Sequence, residues 1–183
     1  NFQDAWLRAE DEGQLSVRAI LNLWAYPNMN DDEQIRALKD LYQNDPESLL
    51  RISQIKVYDD GILINSTAAM LEPYLETLGD IPSNNGLNYF SEERLTRYIR
   101  ELEPVGFDFH IHAIGDRGVR EALNAIENGQ QGNGQQRQGR HRLTHLEIVN
   151  PADYPRFKQL DVTADMQVAG DFAQPSHWQE NDF

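Results

Sequence analysis

The sequence contains no cysteine. Disulfides and thiolate metal sites are thereby excluded, and the compartment cannot be read from thiol usage. Positive charge is scarce: 16 Lys and Arg stand against 30 Asp and Glu, a formal net charge of −14. Nucleic acid and anionic membrane surfaces both call for a basic face, so neither is expected as a partner. No apolar run approaches the length of a membrane span. No Met opens the chain, which begins Asn1-Phe2-Gln3-Asp4-Ala5-Trp6-Leu7 in what reads as the middle of a helix. The expectation is a piece excised from a longer protein. Its 183 residues suffice for a single domain, 1–183, with a real core. They fall short of the about 250 typical of a complete (β/α)₈ barrel.

What is present is an alternation of strands and helices. Phe2, Trp6, Leu7 and Ala9 have helical spacing, and Gly13 stops them. Leu15 to Trp24 reads as a strand. Asn30 caps a helix to about Tyr42, with Ile35, Leu38 and Leu41 on one stripe. Leu50 to Tyr58 is the next strand. Residues 62–90 are irregular, with a short helix expected from Asn65 to Leu71 and turns at Pro73, Gly79, Pro82 and Asn84-Asn85-Gly86. A long loop after a barrel strand is more often functional than idle. Ser91-Glu92-Glu93 starts a helix through Leu102. Strand 107–112 follows, then a helix from Arg117 to about Glu127 for which Asp116 is the expected cap. Gly129 to Gly139 is low-complexity. Strand 141–146, a helix from Asn150-Pro151 to about Leu160 and strand 162–167 complete the order. Five strands alternating with helices imply a parallel α/β sheet or barrel.

Chemistry concentrates where strands end. Side chains alternate across a strand, so Phe107, Phe109 and Ile111 share one face while Asp108, His110 and His112 share the other. In β/α barrels the working residues sit at the C-terminal strand ends, which is where His112 lies. Neutral imidazole is the commonest metal ligand, so a same-face pair raises a metal or acid–base role alongside that of ordinary core histidines. His141, Leu143 and His145 share a face of the next strand. Lys56 shares its face with Gln54 and Tyr58. Burying an ammonium there is expensive unless it is paired or its pKa falls. Carbamylation, giving an anion able to bridge metal ions, is one way out. Pairing with Asp59 or Asp60, or exposure, is the other. Three successive strands thus each offer a ligand-capable residue near the C-terminal end: Lys56, His112 and His145. Zinc or a similar divalent ion suits nitrogen and oxygen ligands without thiolates. Asp60 and Asp116 are the local candidates for a general base, with turn and helix-cap roles as the simpler readings.

Three motifs carry a resemblance. Lys56-Val57-Tyr58-Asp59-Asp60-Gly61, backed by Thr67-Ala68-Ala69 and Glu72-Pro73-Tyr74, resembles the fourth-strand motif of amidohydrolase family 3. His112-Ala113-Ile114-Gly115-Asp116-Arg117 resembles that family's fifth-strand motif, and Arg140-His141-Arg142-Leu143-Thr144-His145-Leu146-Glu147 its sixth. The resemblance implies a TIM-barrel-like (β/α)₈ fold of which about five β/α units, strands three to seven, are present. It implies a metal-dependent hydrolase cleaving a C–N bond of a small-molecule amide or related group, with one or two divalent ions, zinc by preference. Lys56, often carboxylated in such sites, His112 and His145 are the implied ligands. Asp60, Asp116, His110 and His141 are candidates on the substrate side or behind the ligands. The family's first-strand His-x-His pair and strand-eight Asp have no counterpart here, so this chain alone is expected to be inactive. A non-catalytic binding role and a metal-dependent phosphoesterase are the alternatives. Exposed sheet edges predict a homo-oligomer.

Overall fold

The computed structural model describes residues 2–75, 83–132 and 139–166. Within them, five helices and five strands alternate: α1 (Phe2–Asp11), β1 (Ala19–Trp24), α2 (Asp31–Asp40), β2 (Leu50–Tyr58), α3 (Glu92–Leu102), β3 (Asp108–Ala113), α4 (Asp116–Gly132), β4 (Arg142–His145), α5 (Tyr154–Gln159) and β5 (Thr163–Met166). The strands form one sheet in the order β1-β2-β3-β4-β5, every pair parallel. Each strand pairs with its successor, and a helix lies in every connection. This is the arc of a β/α barrel.

Alternation sorts the strand side chains into two layers. Ile55, Val57, Phe109, Ile111 and Leu143 are buried, and they pack with Leu95, Tyr98, Ile99, Val119, Leu123 and Ile126 of α3 and α4 in the principal core. Gln54, Lys56, Tyr58, His110 and His112 face the other way. Parallel register sets Lys56 beside His110 and Tyr58 beside His112. The buried hydroxyl of Tyr98 finds polar partners: it donates to Asp31 Oδ1 at 2.7 Å and accepts from Gln34 Nε2 at 2.6 Å, tying α3 to α2.

Several boundaries differ from the sequence expectation for local reasons. The first strand begins at Ala19 rather than Leu15. A 3₁₀ turn at Leu63–Asn65 replaces the expected short helix at 65–71. Ser66, at φ 56°, ends that turn in the left-handed region, and the amides of Ala69 and Leu71 go to the carboxylates of Asp60 and Asp116 instead of into a helical ladder. Asp116 therefore anchors a loop and does not cap α4. That helix runs on through Gly129 to Gly132. A Cβ at Gly129 would lie 2.5 Å from Ile99 Cγ2, so glycine permits the close α3–α4 approach. The segment after Asn150, whose side chain accepts from Ala152 N at 3.0 Å, starts as a 3₁₀ turn before α5. Gly79, Pro82, Gln167 and most of the stretch up to Gly139 expected to be low-complexity, 133–138, lie outside the described residues.

Candidate metal centre

His112 is buried on the inner face. It is 5% exposed. Its Nε2 lies 2.9 Å from the carbonyl oxygen of Gly61 and 3.4 Å from Asp60 Oδ1. A carbonyl only accepts, so Nε2 carries the proton and donates. The opposite nitrogen, Nδ1, is then a lone pair, and it is buried with no hydrogen-bond partner. Burial, reinforced by His145 and Lys56 nearby, holds the His112 imidazole down at about 4, against the opposing pull of the Gly61 carbonyl. At neutral pH it is an uncharged ring with one aimed, unspent nitrogen.

His145 joins it through strained backbone. Leu143 faces the helices and is fully buried, so simple alternation would put His145 in the helix layer too. Instead His145 has φ 83° and Leu146 φ 52°, both left-handed. Such values are unusual for residues other than glycine and cluster at functional sites. They break the alternation, and the His145 ring meets the His112 ring edge-to-face at 4.6 Å between centroids.

Lys56 stands over the Tyr58 ring, its Nζ 4.9 Å from the ring centre. Burial lowers its pKa to about 8, with Asp165 working the other way. Neither Asp59 nor Asp60 pairs with it. His110 shares this inner face; burial, then Lys56 and Arg142, push it down to about 4, and its Nε2 is buried without a partner. Further unpartnered buried oxygens belong to Asp59, Thr144 and Glu147. Groups left unsatisfied inside a protein call for an explanation such as a ligand, an ion or ordered water. Most of those found among the described residues lie on β3, on β4 or in the turns after β2 and β4.

Asp60 is buried and committed. It accepts from Ala69 N at 3.0 Å, Ile114 N at 3.0 Å and Gly115 N at 2.9 Å. Burial pushes its carboxyl up to about 6, while those amides and Arg117 pull it back. Beside it, Arg117 donates to the carbonyls of Met70 at 3.1 Å and Asn85 at 3.0 Å and to the Asn88 side chain. Asp116 Oδ1 accepts from Leu71 N at 2.8 Å. The long loop after β2 is thus stitched to the start of α4. Glycine makes this possible: a Cβ at Gly115 would stand 2.1 Å from the Ala69 carbonyl oxygen.

His141 lies elsewhere. It precedes β4, at the N-terminal end of the sheet, fully buried, with Nδ1 accepting from Phe109 N at 3.1 Å and Nε2 3.2 Å from Glu103 Oε1. Its place behind the site is not supported: it fastens the end of α3 to the opposite edge of the barrel wall. Conversely, sequence reasoning assigned no role to Tyr58, Trp24, Asp165 or Glu147. Tyr58 stacks obliquely between Trp24 at 5.5 Å and His112 at 4.9 Å, extending the ligand-capable face into an aromatic wall. The Glu147 carboxyl is raised by burial and by Asp60. Its place at the end of the sixth-strand motif, two residues past His145, was the available signal.

Among the described residues, no three His, Asp or Glu side chains already stand together as a cage for a metal ion. Two imidazoles, one with a free buried Nδ1, and a lysine of lowered basicity are what the chain brings together, a donor set that fits part of a nitrogen- and oxygen-ligated site.

Comparison with known proteins agrees with the fold. Residues 3–182 match the family model described as the amidohydrolase family. YtcJ of Bacillus subtilis, an amidohydrolase by name, is 36% identical over 122 residues, covering 64% of this chain and 21% of YtcJ. LONG AFTER FAR-RED 3 of Arabidopsis thaliana is 28% identical over 167 residues, 91% of this chain and 27% of that protein. The crystal structure of an uncharacterized metal-dependent hydrolase from Pyrococcus furiosus superposes with a TM-score of 0.64 at 29% identity, over 87% of this chain and 30% of that one. The chain spans about a fifth to a third of the length of these relatives.

Proposed function

The chain belongs to the amidohydrolase family, and from that premise we propose that it forms part of a metal-dependent hydrolase that cleaves a C–N bond of a small-molecule amide or related group. The observation that carries the reading is the His112 ring: buried, neutral, its Nε2–H given to Gly61 and its Nδ1 left free beside His145. In this reading the five strands correspond to strands three to seven of the parent barrel.

Lys56, His112 and His145 would hold a divalent ion, zinc by the chemistry of the donors. When bound, such an ion lowers the pKa of a coordinated water and polarises a carbonyl oxygen. Lys56 enters as its carbamate: with a pKa near 8, a share of its amine is neutral at physiological pH and able to take up carbon dioxide. Tyr58 supports the lysine stem and walls the site. Asp60 is not the proton-transfer group, because its oxygens are spent on three amides. Glu147 and Asp59, each with an unspent buried oxygen, are the carboxyl groups at this end that can take or hold a substrate proton. His-x-His occurs once in the chain, at His110 and His112. A full ligand set therefore draws on residues beyond these, and the chain by itself is proposed not to turn over.

The test is metal content, by elemental analysis of protein purified without chelator, beside a His112→Ala, His145→Ala double variant. Near-stoichiometric zinc, manganese, iron or nickel that is lost in the variant supports the reading. A full-length parent protein that binds no divalent ion would overturn it in favour of a non-catalytic binding role.

A further inference from the structure

We infer that Asp60 is a positioning residue for His112: through its grip on the loop it fixes which ring nitrogen is free to ligate. The inference rests on the reading of His112 as a ligand. A free neutral imidazole only mildly favours the proton on Nε2; in a protein the partner of each nitrogen fixes the choice. Here that partner is the Gly61 carbonyl, 2.9 Å from Nε2. This carbonyl belongs to the residue after Asp60, in a turn with no regular structure of its own.

Several restraints hold the turn, among them Tyr89 N, which donates to the Asp59 carbonyl at 2.7 Å. The Asp60 carboxylate receives the amides of Ile114 and Gly115, which directly follow β3, and of Ala69 across the loop. Gly61 N donates to the Thr67 carbonyl at 3.2 Å. Asp59 N, the residue before, donates to the His112 carbonyl at 3.1 Å. The strand that carries His112 and the turn that carries its acceptor are therefore joined twice, by the Asp59–His112 backbone bond and by the Asp60 carboxylate, and only the carboxylate also reaches across the loop to Ala69. Asp60 Oδ1 also lies 3.4 Å from Nε2, so its charge favours a proton on that nitrogen directly. Gly118 leaves the room: a Cβ there would sit 2.9 Å from Asp60 Oδ2. The result is a carboxylate–histidine arrangement of the kind that orients ligands from behind.

The experiment is a long-range proton–nitrogen correlation spectrum of the histidine rings, on nitrogen-15-labelled, chelator-treated full chain at neutral pH, with His112 assigned from His112→Gln. Expected in the parent chain is one tautomer with the proton on Nε2. In Asp60→Asn, whose NH₂ must take the place of one of the two acceptor oxygens, a second set of His112 signals with the proton on Nδ1 appears. Zinc affinity by calorimetry falls about tenfold or more, the range for loss of a residue behind a metal ligand. Asp116→Ala frees Leu71 N from the same loop without touching Gly61, and leaves the tautomer unchanged. A parent chain protonated on Nδ1, a folded Asp60→Asn that keeps the single tautomer, or an Asp116→Ala that shifts it equally would each overturn the inference. If Asp60→Asn does not fold, Asp60→Ser removes the carboxylate without the opposing NH₂ and carries the same expectations. A parent chain with the expected tautomer that binds no zinc, alone or within the full-length protein, would count against the metal reading and leave the positioning role standing.

Discussion

His141→Ala should unfold the chain more readily without touching the metal centre. The imidazole is fully buried and works at both nitrogens. Nδ1 accepts from Phe109 N, so the proton resides on Nε2 and is given to Glu103, itself fully buried. Gly139 N also donates to Glu103, at 2.8 Å. Truncation deprives a buried amide of its acceptor, worth about 1–3 kcal/mol, and a buried carboxylate of one donor, worth about 1.5–3 kcal/mol. Partial relaxation of the cavity makes about 4 kcal/mol the expected loss. For a chain of this size, that lowers the thermal midpoint by about 8–16 °C. Denaturant melts of the single variant, of Glu103→Gln and of the double variant would give the coupling, expected at about 1.5 kcal/mol or more because the two share one hydrogen bond. Metal content measured on the folded variant should equal that of the parent chain. A loss under about 1 kcal/mol, or an altered metal content, would refute the assignment of His141 to the opposite end of the sheet.

Other perturbations test the rest of the structure. Lys56 has a folded pKa near 8 against 10.5 for the free side chain, so folding works against its charge below about pH 8 and is relieved as pH rises toward 10.5. Lys56→Met should therefore stabilise the chain at pH 7, by about 1 kcal/mol after discounting for its half-exposed position, and the gain should vanish above pH 10.5; equal effects at both pH values would contradict this. Gly115→Ala drives a methyl group against the Ala69 carbonyl and should cost about 2 kcal/mol or more in a denaturant melt; a neutral result would mean the loop is not seated on α4. Among the described residues, β1 and β5 each pair on one side only, so self-association is expected; light scattering showing a monomer at high concentration would count against it.

The fold was legible because the layers repeat a simple rule. Strand β2 has the expected bounds, Leu50–Tyr58: its apolar residues alternate as Leu50, Ile52 and again as Ile55, Val57, out of step at Ser53 where the pairing with β1 slips, and Asp59-Asp60-Gly61 closes it. Asn30 and Ser91 were readable as caps, and each accepts from the amide three residues on. The loop after β2 was not readable. Its backbone is satisfied by Asp60, Asp116 and Arg117, whose partners lie up to 55 residues away. Local propensity at 65–71 has no access to those partners, so a helix was the natural expectation and a strapped loop the outcome.

The site divides in the same way. The His110–His112 pair follows from period-two geometry, and the structure keeps both on the inner face. His145 does not follow from it. Alternation groups it with Leu143, and only the left-handed backbone at 145 and 146 turns its ring toward His112. A residue at φ 83° outside glycine is held there by its surroundings at a cost of about 1–3 kcal/mol. The same logic separates Asp60 from Asp116, equal candidates in the sequence. One locks the acceptor of a ligand-capable ring and the other holds only Leu71. Which carboxylate matters is decided by what three amides and one carbonyl do across 50 residues of chain, a long-range fact that no local pattern encodes.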